Sequence, residues 1–256
     1  MARWFGRSRD QAGEPDAFDA AERLRLAHRD TGQPGLLDTA LRAMLNAKDQ
    51  YGEADQRHAA SLSGLCMLYR QKWERDSDRG ALNRSASYGR AAVELSPPGD
   101  SLLPRHMSAL ATTLQELYEV TRDPKDIDEA IALYRGCLDL VPPADPEHAG
   151  QQSNLANSLL RRAKYHPDPE LLREAVELAR AALRGTAAID PMRAARLVNL
   201  GAALMSRVQA GSVSELVEAE TVYAQAVRAL PPTHPAHRQV QGTLQVVRDL
   251  RRTLGI

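Results

Sequence analysis

Few residues in this chain have types and spacings suited to chemistry. His234 and His237 form its only close histidine pair, in the run His-Pro-Ala-His. Tetrahedral zinc needs further nitrogen or sulfur ligands, and none stand nearby in sequence. The intervening proline marks a helix start, which spoils i, i+3 ligand geometry. Cys66 and Cys137 are too few for a disulfide framework. They align with alanines and a glycine elsewhere in the chain, so each reads as a small buried hydrophobe rather than a nucleophile. Asp126, Asp128 and Glu129 make an acidic helix start that complements the helix dipole without catalysis. No glycine-rich phosphate loop follows a strand. The expectation is a protein that is not an enzyme and needs no metal or cofactor. What remains is binding chemistry. Asn154 and Asn199 stand 45 residues apart, and Asn157 lies three residues beyond the first. An amide both donates and accepts, which suits the backbone of an extended peptide.

The elements that would position these side chains follow from four Asp-Pro pairs: Asp123-Pro124, Asp145-Pro146, Asp168-Pro169 and Asp190-Pro191. Their spacings are 22, 23 and 22 residues. Aspartate is a good helix N-cap and proline a good first helical residue, so each pair predicts a helix start. Asp76-Ser-Asp78 reads as the corresponding turn one repeat earlier. Two helices in every 45 residues are the mark of a helical repeat array.

The helical stripes agree. Ile127, Ala130, Ile131, Tyr134 and Leu138 follow the spacing of one buried helix face. Leu172, Ala175, Val176, Ala179 and Leu183 repeat it, as do Leu82, Ser85, Ala86, Gly89 and Val93. Leu216, Ala219, Glu220, Tyr223 and Val227 give a last copy with one residue lost. In the other helix of each pair Leu65, Leu110, Leu155 and Leu200 are 45 apart, each followed by a small residue. Tyr69, Trp73, Tyr118 and Tyr134 read as core. Pro-Pro steps at 97–98, 142–143 and 231–232 separate the pairs. A terminal helix near His237–Thr253, apolar only at Val240, Leu244 and Val247, fits a cap. The sum is eleven helices: five pairs and a cap. Residues 1–15, with Trp4 and Phe5 among arginines, read as a flexible arm before a repeat domain spanning 16–256.

Composition narrows the function. Lys+Arg and Asp+Glu are 33 each, so no bulk charge favours nucleic acid or anionic membrane. No apolar run is long enough to span a bilayer, and the N-terminus lacks the apolar core of a secretory signal. A cytoplasmic protein with reduced thiols is expected.

The repeat resembles the tetratricopeptide repeat (TPR). Its first helix carries Leu200-Gly201-Ala202-Ala203-Leu204, with leucine in place of the family's aromatic residue. Its second carries Ala130, Tyr134 and Cys137, and closes at Pro142. At 45 residues the repeat is longer than the family's usual one. The interval Ala156–Ala175 implies that seven extra residues lie in the turn within the pair, with the rest in the Pro-Pro loop. This length resembles a subgroup common in actinobacteria. The resemblance implies an all-α, right-handed superhelical solenoid whose first helices line a concave groove for a peptide or partner protein. By the family's geometry the groove positions are Arg70 and Gln71, Thr112 and Gln115, Asn154, Asn157 and Arg161, and Asn199 and Ser206. The family's carboxylate clamp is incomplete, because its lysine position holds Ser63, Ser108, Ser153 or Val198. A protein-interaction scaffold is the leading reading. The alternative is a regulatory or substrate-recruiting subunit of a separately encoded hydrolase, protease or ATPase.

Overall fold

The first N–H groups of a helix have no partner within it, and a short carboxylate can supply one. This chain does so at a fixed interval. Asp55, Asp100, Asp145 and Asp190 stand 45 residues apart. The N–H of each bonds to the carbonyl three residues earlier, at 2.9–3.1 Å. The carboxylate of each accepts the N–H two residues later, from Arg57, Leu102, Glu147 and Met192, at 2.7–2.9 Å. His234 fills this position in the last repeat, where its Nδ1 accepts from the N–H of Ala236 at 3.1 Å. Asp78, Asp123 and Asp168 form a second series, capping the second helix of their pairs.

A computed structural model describes residues 16–97 and 99–256. The expectations for the arm 1–15 fall outside the described residues. These contain eleven α-helices, one 3₁₀ turn and no strand. They divide into two compact units, the second beginning at Pro97.

The first unit holds α1 (Ala17–Thr31), α2 (Pro34–Gln50), α3 (Gln56–Asp76) and α4 (Arg79–Glu94). Each helix packs on the next, and α1 also touches α3. Its core joins Ala21, Leu37, Leu41 and Met44 to Leu65 and Leu68. The entry to α1 is tied down by Asp16, which accepts from Tyr51 Oη at 2.6 Å and pairs with Arg57 at 2.7 Å.

The second unit holds α5 (Leu103–Thr121), α6 (Pro124–Leu140), α7 (Pro146–Tyr165), α8 (Pro169–Arg184), α9 (Arg193–Gln209), α10 (Leu216–Ala229) and α11 (His237–Leu254). Sequential neighbours pack together, and the first helices also meet as α5 on α7 and α7 on α9. The key leucines Leu110, Leu155 and Leu200 are each 2% exposed, which places all three in the core. The small residue after each admits the second helix. At Gly201 an added Cβ would lie 2.7 Å from the Tyr223 ring, so the largest side chain faces the smallest.

Four sequence expectations need correction. Asp190-Pro191 does not begin a helix: it forms the turn described above, and α9 starts at Arg193. Tyr118 and Tyr134 are fully buried, but Tyr69 and Trp73 are only half-buried. Tyr69 packs against the edge of the first unit's core and stacks on Tyr88 at 5.5 Å. Glu220 does not join its stripe's apolar face. It pairs with Arg248 at 3.1 Å and Arg251 at 2.7 Å on α11. Finally, the seven extra residues do not lengthen the turn inside the pair. Only residues 166–168 join α7 to α8, and two residues join α5 to α6. Seven residues make about two helical turns, so the helices absorb them and their faces stay in phase.

These short connections depend on a left-handed residue. Gly32, Ser77 and Arg122, again 45 apart, have φ of 65°, 55° and 60°. Each N–H bonds back to a carbonyl of the last turn, at 2.7–2.9 Å. The next copy is Pro167, whose ring forbids positive φ, and α7 leaves through His166 at φ −132°.

One buried position is polar in four successive first helices: Ser61, His106, Gln151 and Arg196. Arg196 is bonded to Thr186 Oγ1 and lies 3.5 Å from Asp190. Burial pushes His106 down to about 4, against opposing attraction from Asp100. The native state therefore prefers neutral His106. The stability this carries is intact above about pH 6.5 and is lost as pH falls towards 4, at up to about 1.4 kcal/mol per unit. His106→Gln, which installs the residue of the next repeat, should flatten stability against pH across that window in urea titrations. A steep wild-type slope retained in the variant would contradict this. Separately, Leu155→Ala should cost about 2–5 kcal/mol and unfold its neighbourhood first, as read by hydrogen exchange.

Candidate partner-binding face

The sequence-predicted residues sit on first helices. Arg70 and Gln71 are on α3 in the first unit; Thr112 and Gln115 on α5, Asn154, Asn157 and Arg161 on α7, and Asn199 and Ser206 on α9 are in the second. The second unit thus brings seven of the nine onto three first helices that touch in sequence.

Most of these side chains already have internal partners. Gln115 is buried, and its Nε2 donates to Ser158 Oγ at 2.6 Å and to the Asn154 carbonyl at 3.3 Å. Asn199 Nδ2 donates to Ser153 Oγ at 2.9 Å. Arg161 reaches from α7 to Glu119 of α5 at 3.0 Å and to Glu116 at 3.9 Å. Thr112 Oγ1 meets the Tyr134 hydroxyl at 2.8 Å, and Ser206 donates to its own helix at 3.0 Å. On α3, Arg70 pairs with Glu74, and the Gln71 carbonyl oxygen is buried without a hydrogen-bond partner. The side-chain amides of Asn154 and Asn157 are half-buried and make no hydrogen bond among the described residues. They keep their full capacity to donate and accept.

Glu119 anchors this row electrostatically. Burial pushes its pKa up, but Arg122, the Tyr165 hydroxyl, Arg161 and Lys164 outweigh burial and hold the carboxyl below its ordinary value. It stays ionised at neutral pH and fixes Arg161 against α5.

The other chemically suggestive residues are structural. Cys66 and Cys137 form no disulfide and are fully buried, and burial pushes the Cys137 thiol up to about 12. At neutral pH it is a thiol, not a nucleophilic thiolate. His237 donates from Nδ1 to the Leu230 carbonyl at 3.0 Å. His58 and His148 do the same to Tyr51 and Val141, and Arg193 reaches Thr186 O at 2.9 Å. One repeat position therefore ties α3, α7, α9 and α11 to the end of the second helix before each, whereas on α5 it holds Leu103. No group of three or more His, Cys, Asp or Glu side chains suited to a metal occurs among the described residues. None of their helices is long and apolar enough to cross a membrane.

No protein-family model and no curated protein matches this sequence. Solved structures do. A Podospora anserina protein described as a kinesin light chain with nearly identical TPR-like repeats aligns with TM-score 0.58 and 15% identity, over 83% of this chain and 98% of that one. The assembly chaperone of RpL4, Acl4, aligns with TM-score 0.51 and 14% identity, over 91% and 86%. The fold is TPR-like. Identities this low establish architecture and nothing of partners.

Sequence reasoning missed the links between first helices. Their partners, Glu119, Ser153 and Ser158, are 42, 46 and 43 residues from Arg161, Asn199 and Gln115. The only signal was a polar residue recurring near the repeat period. These links separate the asparagines by role. Asn199→Ala should be less stable than Asn154→Ala by about 0.5–1.5 kcal/mol, the usual value of one hydrogen bond, with equal helix-propensity changes cancelling. Denaturant melts of the two variants check this, and identical midpoints would remove the Asn199–Ser153 bond from the account.

Proposed function

We propose that this chain is a protein-interaction scaffold that binds an extended peptide or partner segment across the first helices α5, α7 and α9. The observation that carries the reading is the pair of unbonded, half-buried amides, Asn154 and Asn157, on a row whose other predicted side chains each already make an internal bond. A peptide backbone loses water from its N–H and C=O groups on binding, and amides one helical turn apart replace that water. Arg161 offers its remaining donors to an acidic ligand side chain. The TPR-like architecture fits this use, and the 45-residue period resembles that of a long-repeat subgroup common in actinobacteria. A cytoplasmic setting accords with buried, reduced cysteines. If the partner proves to be a hydrolase, protease or ATPase, the chain is its recruiting subunit.

The test uses the full chain against a phage-displayed peptide library, followed by calorimetry on the selected peptide. Asn154→Ala/Asn157→Ala should melt like wild type and bind about tenfold more weakly, the effect of losing two hydrogen bonds of moderate strength. Equal affinity would move the site off this face.

A further inference from the structure

α11 is built as a first helix. Allowing for the one residue lost in the last repeat, Leu244 takes the place of Leu200. Gln245 then stands where Cys66, Ala111, Ala156 and Gly201 stand, the position that faces the second helix of each pair. Arg248 stands where Tyr69, Leu114, Leu159 and Leu204 stand. Two positions that are small or bulky and apolar in the other repeats are polar here, and no described helix follows α11.

A cleft of about 570 Å³ opens on this side, between α10 and α11. Ala224, Val227 and Leu244 make its apolar part, and Arg228, Arg238 and Arg248 its charged part, with no acidic side chain in the lining. Arg248 spends its Nε on Glu220, whereas Arg228 and Arg238 form no ion pair among the described residues. Gly242 also lines the cleft, and a Cβ added there would meet nothing within 4 Å, so a bound backbone can approach closely. The local charge is lopsided: residues 228–256 contain five arginines and one acid, Asp249, in a chain of net charge zero.

The chain's own packing indicates what fits. Arg135 of α6 pairs with Glu174 of α8 at 2.9 Å, and Arg180 of α8 pairs with Glu218 of α10 at 3.0 Å. A second helix thus presents glutamate to an arginine of the second helix before it. We propose that the α10–α11 cleft takes an acidic amphipathic helix from a partner protein, lying where a further second helix would lie. Its apolar side chains cover Val227 and Leu244, and its carboxylates face Arg228 and Arg238. This is recognition of a helix in a groove, with charge setting the choice of partner. Single-stranded nucleic acid is the poorer fit, because such grooves offer aromatic rings for base stacking and this lining has none.

The test is fluorescence anisotropy on the full chain. The probe is a labelled peptide of glutamate, alanine and leucine, with the leucines on one helical face. Comparison probes are the same composition with the leucines scattered, the same peptide with glutamine for glutamate, and oligo-dT. Wild type should bind the first probe most tightly, and less so as salt rises. Arg228→Gln/Arg238→Gln alters two exposed side chains and should melt like wild type, yet lose about tenfold in affinity. Asn154→Ala/Asn157→Ala should bind this probe like wild type, which separates the cleft from the first-helix face. Absence of binding by wild type, equal binding by the arginine variant, or tighter binding of oligo-dT would each overturn the proposal.

Discussion

The constraint on which this structure depends is the aspartate turn that opens α3, α5, α7 and α9. A backbone N–H at a helix start must find an acceptor, and a repeat array meets that need once per repeat. Here one carboxylate takes the N–H two residues on, while its own N–H closes the preceding turn. Each bond contributes only modestly, but the turn decides where the helix begins and so which residues face the core. The His58, His148 and His237 bonds and the Arg193 bond reinforce the same joint from the helix side. His234 shows that the geometry matters more than the charge, since an imidazole nitrogen accepts where a carboxylate does elsewhere.

The architecture was legible because the stripes of leucine, alanine and isoleucine combine two periods, 3.6 residues within a helix and 45 along the chain. Lengths were less legible. Counting from Ala156 to Ala175 measures the path between two core positions without saying whether it runs through helix or loop. Seven residues are nearly two full turns, so longer helices leave every stripe unchanged. Asp190-Pro191 misled for a related reason: an Asp-Pro pair satisfies an N–H equally well at a helix start or in a turn just before one. Of the candidate site, residue types and helix faces could be read, but not which amides would be consumed internally. Asn154 and Asn199 occupy one repeat position, and each follows a serine 46 residues earlier, yet only Asn199 bonds its serine, Ser153, and that depends on how α7 meets α9.

The last described repeat departs from the others in the polarity of its stripes. Val176 and Ile131 have their counterpart in Glu220, which is drawn out of the apolar stripe by Arg248 and Arg251. Cys66, Ala111, Ala156 and Gly201 have theirs in Gln245. These exchanges withdraw apolar surface from a face that no described helix covers, and surface ion pairs of this kind add at most about 1 kcal/mol. Their contribution to stability is therefore small. The same exchanges leave a basic lining in a protein whose charge is otherwise balanced.

Links between first helices bear on binding in a different way. Gln115 to Ser158, Arg161 to Glu119 and Asn199 to Ser153 join α5 to α7 and α7 to α9 through side chains rather than apolar contact. Each removes rotamer freedom from a long polar side chain before any ligand arrives. Association costs free energy for every side chain it must immobilise, so a row already held in place loses less on binding. Asn154 and Asn157 are short, carry few rotamers and sit half-buried among these fixed neighbours. The arrangement concentrates uncommitted hydrogen-bonding capacity on two short amides, which is the capacity that the proposed recognition of a peptide backbone would draw on.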